Sequence, residues 1–459
     1  MEGGAEGFSE ILDAAVALGP AEGLHRFAGG LDPEWIEQAL AATGSASCRR
    51  RKFPAEQVVW LVLGMAMFAD RSIRDVVEHL DLVVPGVRSL APSAIPAARY
   101  RLGPEPVEWL FYRTAEAWCP AKGVGDWRGL RLYGVDGTSL RVPDSDENFD
   151  RFGKPGSRNG SGDAGYPVMR VACLMNLGTR LLAGAAFGPY ATGEQDLAET
   201  LWTRVPDDSL TILDRVFVNY SVFGHLVGNG MNRHFLVRVR NDLKFKTLGG
   251  LTDGSLLAEL PRSRLAAQAH PDLPKSIRGR IIAYRHPGGE ESRVFTTLLD
   301  HERYPAAELV ELYHERWEIE VAYDEFKTHL LERNESLLRS KKPAGIAQEL
   351  WGALLLYNLV RNEMLKVATE RGFSPKRISF KSSLLLMRNF WEVAAWRSRP
   401  GNVPRYLAEF RSTLEVLILP PRRSERRYPR HVKIKMSNYP RNRGRRGSAK
   451  PIEQTEQAP

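Results

Sequence analysis

The sequence predicts an α/β protein with a sheet-forming centre, helical flanks and a cationic tail, and three observations carry that prediction. Between residues 126 and 240, apolar runs and amphipathic stretches alternate in the order strand, strand, strand, helix, strand, helix, strand. On either side, at Phe53–Ala69 and Ile346–Val367, apolar residues form runs too long and dense for strands and read as helices. The formal net charge of +9 is local, because Arg422–Lys450 holds twelve Lys/Arg against Glu425 alone, which puts +11 in that segment and leaves −2 for the rest.

A chain of 459 residues is long enough for several domains, each burying its own core. With 43% hydrophobic and 26% charged residues it has the composition of a globular protein, not a disordered one. The longest apolar runs, Val58–Ala69 and Leu350–Val360, fall short of the roughly 18 residues that span a bilayer and read as buried helices. The opening MEGGAEGFSE has acids and glycines where a secretory leader has basic and then apolar residues. The expectation is a cytoplasmic protein with no membrane partner. Cys48, Cys119 and Cys173 form no C-x-x-C pair, and the histidines form no H-x3-H pair, so neither a disulfide framework nor a zinc site is indicated.

Residues 1–125 read as a helical region suited to DNA binding. Phe53–Ala69 is apolar, Ser72–Leu80 is amphipathic, and Ser93 is placed to cap the next helix. Short helices with tight turns permit a helix-turn-helix, for which Arg49–Lys52, Arg71, Arg74, Arg99 and Arg101 would supply phosphate contacts. A plain bundle with a solvated basic face fits equally well.

Residues 126–240 hold the alternating core. Strand Arg131–Val135 ends at Asp136. Met169–Asn176 and Arg180–Phe187 are joined by the turn Leu177–Thr179, and a helix follows at Glu194–Arg204. Strand Ser209–Leu213 ends at Asp214, followed by a helix near Tyr220–Val227 and strand His234–Val239. Residues 241–304 read as a β-rich insertion, with Arg280–Arg285 and Arg293–Leu298 flanking a turn at His286–Gly289. Residues 305–345 return to the core with one long helix from Pro305, tolerated at a helix start, to about Leu331. Residues 346–420 form a helical C-terminal region, and 421–459 a basic tail suited to a polyanion. The glycine-rich stretch Gly153–Gly165 lacks the spacing of a phosphate-binding P-loop and reads as a loop near the cleft.

Cutting a phosphodiester at neutral pH requires activating water or a hydroxyl and stabilising charge on the leaving oxygen, which two metal ions about 4 Å apart can do together. Such ions are hard cations that take carboxylate oxygens. Asp136 in GVDGTSL and Asp214 in LTILDRVF each follow an apolar strand, a position equally open to an ordinary turn or helix-capping acid. The segment LYHERWEIEVAYDEFK adds Tyr313, Arg316, Glu320 and Lys327 in the pattern Y-x2-R-x3-E-x6-K, whose steps place all four near one face of a helix.

That pattern resembles the signature of DDE transposases of the insertion sequence 4 family, and the resemblance extends to RRKFPAEQVVWLVLGMAMFADRSIRDV, DGTSLRVPDSDEN, LDRVF and LRSKKPAGIAQELWGALLLYNLVRNEM. It implies a ribonuclease H-like core in which the first and fourth strands lie side by side. It further implies that Asp136, Asp214 and Glu320 are the catalytic metal ligands, holding two Mg²⁺ or Mn²⁺ ions. Tyr313, Arg316, Lys327 and, from FLVRVR, Arg238 would contact DNA. The implied activity is cut-and-paste transposition. Its partners would be double-stranded DNA, as terminal inverted repeats and as target, and a second copy of the chain assembled on the transposon ends. Its place would be the bacterial cytoplasm, on the nucleoid.

Two departures stand out. The second motif often reads Ala-Asp-Arg-Gly-Phe in relatives and is Leu213–Phe217 here, with the acid kept. The insertion has no tryptophan between Asn241 and Tyr304, where some relatives use one to hold a base flipped out during hairpin formation, so the resemblance does not carry a hairpin intermediate over to this sequence; Tyr284 and Phe295 are the aromatic residues that could substitute. A nuclease or resolvase on the same fold, or a DNA-binding protein that no longer cuts, are the alternatives.

Overall fold

The computed structural model describes residues 31–47, 53–80, 82, 91, 93–119, 123–155, 166–228, 230–285, 291–331, 338–397, 410–414 and 416–420. Arg49–Lys52, Cys48, most of the glycine-rich loop, the turn at His286–Gly289 and the basic tail lie outside the described residues.

Among the described residues the chain opens with the α-helices α1 (Pro33–Ala42), α2 (Ala55–Met67), α3 (Ile73–His79), α4 (Ala94–Leu102) and α5 (Glu105–Trp118). Asp32 caps α1 by accepting the Glu34 N–H at 3.0 Å. Ser72 and Asp75 cap α3 reciprocally, each side chain taking the other's backbone N–H. Ser93 precedes α4 but makes no side-chain capping bond. Helix α2 is apolar all round and almost wholly buried, as a core helix should be.

The sheet then begins with β1 (Arg131–Arg141), β2 (Val168–Asn176) and β3 (Leu182–Pro189), with α6 (Asp146–Phe152) between the first two. At the β2–β3 turn the Asn176 carboxamide oxygen accepts from the Gly178 and Thr179 N–H groups, both at 3.0 Å. Helix α7 (Glu194–Ala198) continues as a 3₁₀ turn, Glu199–Arg204, where one helix was expected. Then come β4 (Ser209–Leu213), α8 (Tyr220–Gly228) and β5 (Arg233–Val239). β1 and β4 pair in parallel, so the first and fourth strands are neighbours.

The region after β5 supplies β6 (Lys246–Gly250), β7 (Leu256–Pro261), α9 (Arg264–Ala269), β8 (Ser276–Arg285) and β9 (Glu291–Thr296). It is β-rich as expected, and its strands extend the same sheet. β9 pairs antiparallel with β5, giving nine strands among the described residues in the order β3-β2-β1-β4-β5-β9-β8-β7-β6.

The expected single helix from Pro305 to Leu331 is instead four segments: α10 (Ala306–Tyr313), a 3₁₀ turn His314–Arg316, α11 (Trp317–Asp324) and a π turn Glu325–Leu330. Ala306 donates its N–H to Asp253 of the insertion at 3.0 Å, satisfying one donor at the start of α10. The π turn begins at Glu325, a buried acid bonded by Arg180, Tyr357 and Arg361. Helix α12 (Pro343–Arg371) comes next, ended by Gly372 at φ +70°, and then α13 (Phe380–Arg397).

The sheet has apolar layers on both faces, as strand alternation requires. Leu132, Leu210, Ile212 and Leu236 face a cluster that includes α2, α5, α11 and α12, while Tyr133, Val135, Leu213, Phe235 and Val237 face one that includes α7 and α8. α2 and α12 approach closely because Gly352 has no side chain: a Cβ there would stand 3.2 Å from the Val62 carbonyl oxygen. Arg99, expected to meet phosphate, is buried between these regions. It donates to Gln348 and Glu349 at 2.9 Å each. Once desolvated, its charge needs those partners. Among the described residues no helix is long and apolar enough to cross a membrane.

Candidate active site

β4 is buried along its whole length, and at its end the chain leaves the core at Asp214, whose carboxylate accepts the Val216 N–H at 2.8 Å and so caps the 3₁₀ turn Arg215–Phe217. β1 was expected to end at Asp136 as well. It runs on to Arg141, because β2 pairs beside it from Tyr133↔Asn176 to Arg141↔Val168 and satisfies the extra backbone groups. Only on the β4 side does pairing stop, at Val135↔Leu213. Asp136 and Asp214 are therefore the next residues on adjacent parallel strands, at the step where one strand ends and the other continues.

Helix α11 brings the third acid. Glu320 accepts from Arg316 Nη2 at 2.8 Å, and Arg316 Nη1 stands 3.8 Å from Asp136 Oδ2. Burial works against the Arg316 charge, yet Tyr313, Glu320 and Asp136 together raise its pKa above the ordinary guanidinium value. Burial pushes Asp136 up to about 6. The Gly137 N–H, which bonds its carboxylate at 2.8 Å, and Arg316 oppose that rise, while the charges of Asp214 and Glu194 add to it. Burial likewise lifts the Tyr313 phenol to about 12, against the nearby guanidiniums of Arg316 and Arg238.

The structure thus brings Asp136, Asp214, Glu320, Arg316, Tyr313 and Arg238 into one neighbourhood. Arg238 is exposed on β5 and donates to Ser292 at 3.0 Å. Lys327 lies half-buried in the π turn, so the single helical face inferred from spacing is corrected: a 3₁₀ turn precedes Glu320 and a π turn comes after it. Those turns advance by different angles from an α-helix and shift the phase of the residues beyond them. Phe295 is fully buried against Phe223, Phe235 and Phe245 and is thereby removed as a base-stacking residue. Tyr284 is half-buried and near enough to Tyr313 to disfavour its ionisation.

Sequence reasoning missed three features. Tyr323, three residues past Glu320, donates its hydroxyl to the Asp136 carbonyl at 2.6 Å, and that helical spacing was available as a signal. A buried ion-pair group anchors the same helix. Arg180 bonds Glu318 at 2.6 Å and Glu325 at 2.7 Å, and Arg361 bonds the second oxygen of Glu325. Glu194 is the third: a Cβ on Gly137 would lie 2.8 Å from Glu194 Oε2, so the missing side chain is what lets this carboxylate lie beside Asp136.

Among the described residues no three His, Cys, Asp or Glu side chains are gathered tightly enough to hold an ion as they stand, with Arg316 bridging two of the acids. The donor set nevertheless fits a hard divalent cation. It is all carboxylate, and one member is buried beside like charges that a cation would neutralise.

Comparison with known proteins identifies the family. A family model described as "Transposase DDE domain" matches residues 127–359, and one described as "Insertion element 4 transposase N-terminal" matches residues 21–112. "Transposase InsG for insertion sequence element IS4" of Escherichia coli (strain K12) is 36% identical over 413 residues, 89% of this chain and 92% of that protein. "Putative transposase InsZ" of the same organism is 37% identical over 284 residues, 59% of this chain and 92% of that protein. A solved structure described as a "piggyBac transposase synaptic complex with hairpin DNA" aligns with a TM-score of 0.41 and 13% identity over 87% of this chain and 86% of that one, too distant to carry an argument. A DDE domain over half of the chain, with a close full-length relative, defines a DNA transposase, an enzyme that cleaves and transfers DNA strands and depends on divalent metal. More narrowly, the chain belongs to the insertion sequence 4 family of DDE transposases.

Proposed function

We propose that the chain moves an insertion sequence by cut-and-paste transposition, with Asp136, Asp214 and Glu320 holding two Mg²⁺ or Mn²⁺ ions at the scissile phosphate. The observation that carries this reading is the parallel register Val135↔Leu213, which leaves Asp136 and Asp214 side by side with Glu320 one guanidinium away. When bound, such ions lower the pKa of an attacking water or 3′-hydroxyl and stabilise the leaving oxygen.

The chain's own groups do the positioning. Arg316, Tyr313, Arg238 and Lys327 grip backbone phosphates and hold the strand in line. Arg316 exchanges its carboxylate partners for phosphate as DNA arrives. The core, 126–240 with 305–345, is read as ribonuclease H-like, supported by the adjacency of β1 and β4. Residues 1–125 read the terminal inverted repeats, 241–304 flank the cleft, and 346–420 brace the core. The tail, 421–459, adds sequence-independent affinity for double-stranded DNA. Two copies assemble on the paired ends and act in the bacterial cytoplasm, on the nucleoid.

The test is cleavage of duplexes carrying the element's ends by Asp136→Ala, Asp214→Ala and Glu320→Ala proteins. Each is expected to bind ends and to lose Mg²⁺-dependent cutting. Cutting retained by any one of them removes that residue from the triad.

A further inference from the structure

We infer that Glu194 is a fourth carboxylate of the metal site, reaching it from the opposite face of β1. The inference rests on the three-acid reading above and extends it. Asp136 and Gly137 are consecutive on β1 and present opposite faces, and Glu320 approaches from the α11 side while Glu194 approaches over Gly137 from the α7 side. Beyond Val135 the strand has no β4 partner, so at this step β1 has an open edge around which groups from the two faces can meet.

Glu194 is fixed in place by its neighbour. Gln195 donates to the Val216 carbonyl and accepts from Asn219 Nδ2 at 2.8 Å, which ties the start of α7 to the turn that Asp214 caps. Among the described residues the Glu194 carboxylate takes no hydrogen bond or ion pair, although Asp136 and Asp214 share its neighbourhood. Convergence of three acids is unfavourable unless a cation resolves it. Gly137 is the enabling residue, since any side chain there would displace Glu194.

The experiment is titration of the full-length, DNA-free protein with Mn²⁺ alone, by calorimetry or the electron paramagnetic resonance of free Mn²⁺, on wild type, Glu194→Gln, Glu194→Asp, Gly137→Ala and Asp214→Asn. Glu194→Gln and Gly137→Ala are expected to bind Mn²⁺ about tenfold more weakly, with metal-free melting no lower than wild type. If Glu194→Gln proves unstable, Glu194→Asp, which keeps the charge and shortens the reach, must still show weakened binding. Affinity within twofold of wild type in the Glu194 variants, alongside a clear loss in Asp214→Asn, overturns the role of Glu194 and leaves the three-acid site intact. An unchanged Asp214→Asn would instead overturn the three-acid reading on which it rests. A fall in metal-free melting that tracks the loss of affinity makes Glu194 a folding residue and also overturns the inference.

Discussion

Two charge clusters share the helical stretch from His314 to Leu330, and they are built to opposite ends. On the inner side Glu318 and Glu325 meet Arg180 and Arg361, two acids against two guanidiniums, all but closed to solvent. Toward the sheet step Arg316 serves Glu320 and Asp136, while Asp214 and Glu194 add negative charge beside it. A buried ion pair returns little more than its desolvation cost, so a balanced cluster holds geometry. An unbalanced one is left able to take a cation or to give up its guanidinium to a phosphate. The first fixes the frame within which the second can work.

The sharpest way to break this comparison is to swap the outcomes of equivalent mutations. Glu320→Gln, on the unbalanced side, should reduce cleavage of end DNA to background with folding unchanged, read by gel assay and thermal melting. Arg180→Ala, on the balanced side, takes a guanidinium from two buried carboxylates, of which Glu325 keeps Arg361, and should destabilise the protein by about 3–5 kcal/mol, measured by chemical denaturation. If Arg180→Ala melts like wild type while Glu320→Gln unfolds, the two clusters have been assigned the wrong way round.

A smaller effect separates them by pH. Burial raises Asp136 from 3.8 to about 6, so its ionisation costs the folded, metal-free protein. The penalty is absent below about pH 4 and complete above about pH 6, where Asp136→Asn should be the more stable form by up to about 3 kcal/mol. Denaturation in chelator at pH 4 and pH 8 measures it, and equal stabilities at both would mean that Asp136 is not strained by its surroundings. Mn²⁺ should reverse the ranking, because only the wild type gains from binding. The smallest expected shift in stability is for Arg316→Ala, whose partners Glu320 and Asp136 lie nearer to solvent than the acids around Arg180. Its folding should be nearly normal while strand cleavage or transfer fails, and normal cleavage and transfer by the folded variant would return Arg316 to a purely structural role.

Much of the frame was legible in the sequence because it arises from short-range pattern. The apolar runs before Asp136 and Asp214 become β1 and β4, and the strand and helix order from β1 to β5 is as read except for α6, an unforeseen helix between β1 and β2. The features that were not legible depend on long-range partners. β1 overruns Asp136 because β2 lies beside it, the π turn coincides with charges supplied from Arg180 and Arg361, and Arg99 is drawn inward by Glu349, which lies 250 positions away. Phe295 was ambiguous because period alone does not say which face of an insertion strand joins a core. Glu194 looked like any acid in the first turn of a helix, although it lies in YATGEQDLAETLWTRV, a stretch that resembles the family, and a glycine follows Asp136.

A nine-stranded sheet has rims as well as faces, and β6 is one of them. A rim strand offers unpaired amide groups to any passing chain and invites neighbouring molecules to zip together. β6 is poorly suited to that invitation. It is five residues long, exposed throughout, begins with Lys246, ends in Gly249–Gly250, and its pairing with β7 slips between Thr247 and Gly249. Shortness, a lysine and a broken register each discourage edge-to-edge growth along β6.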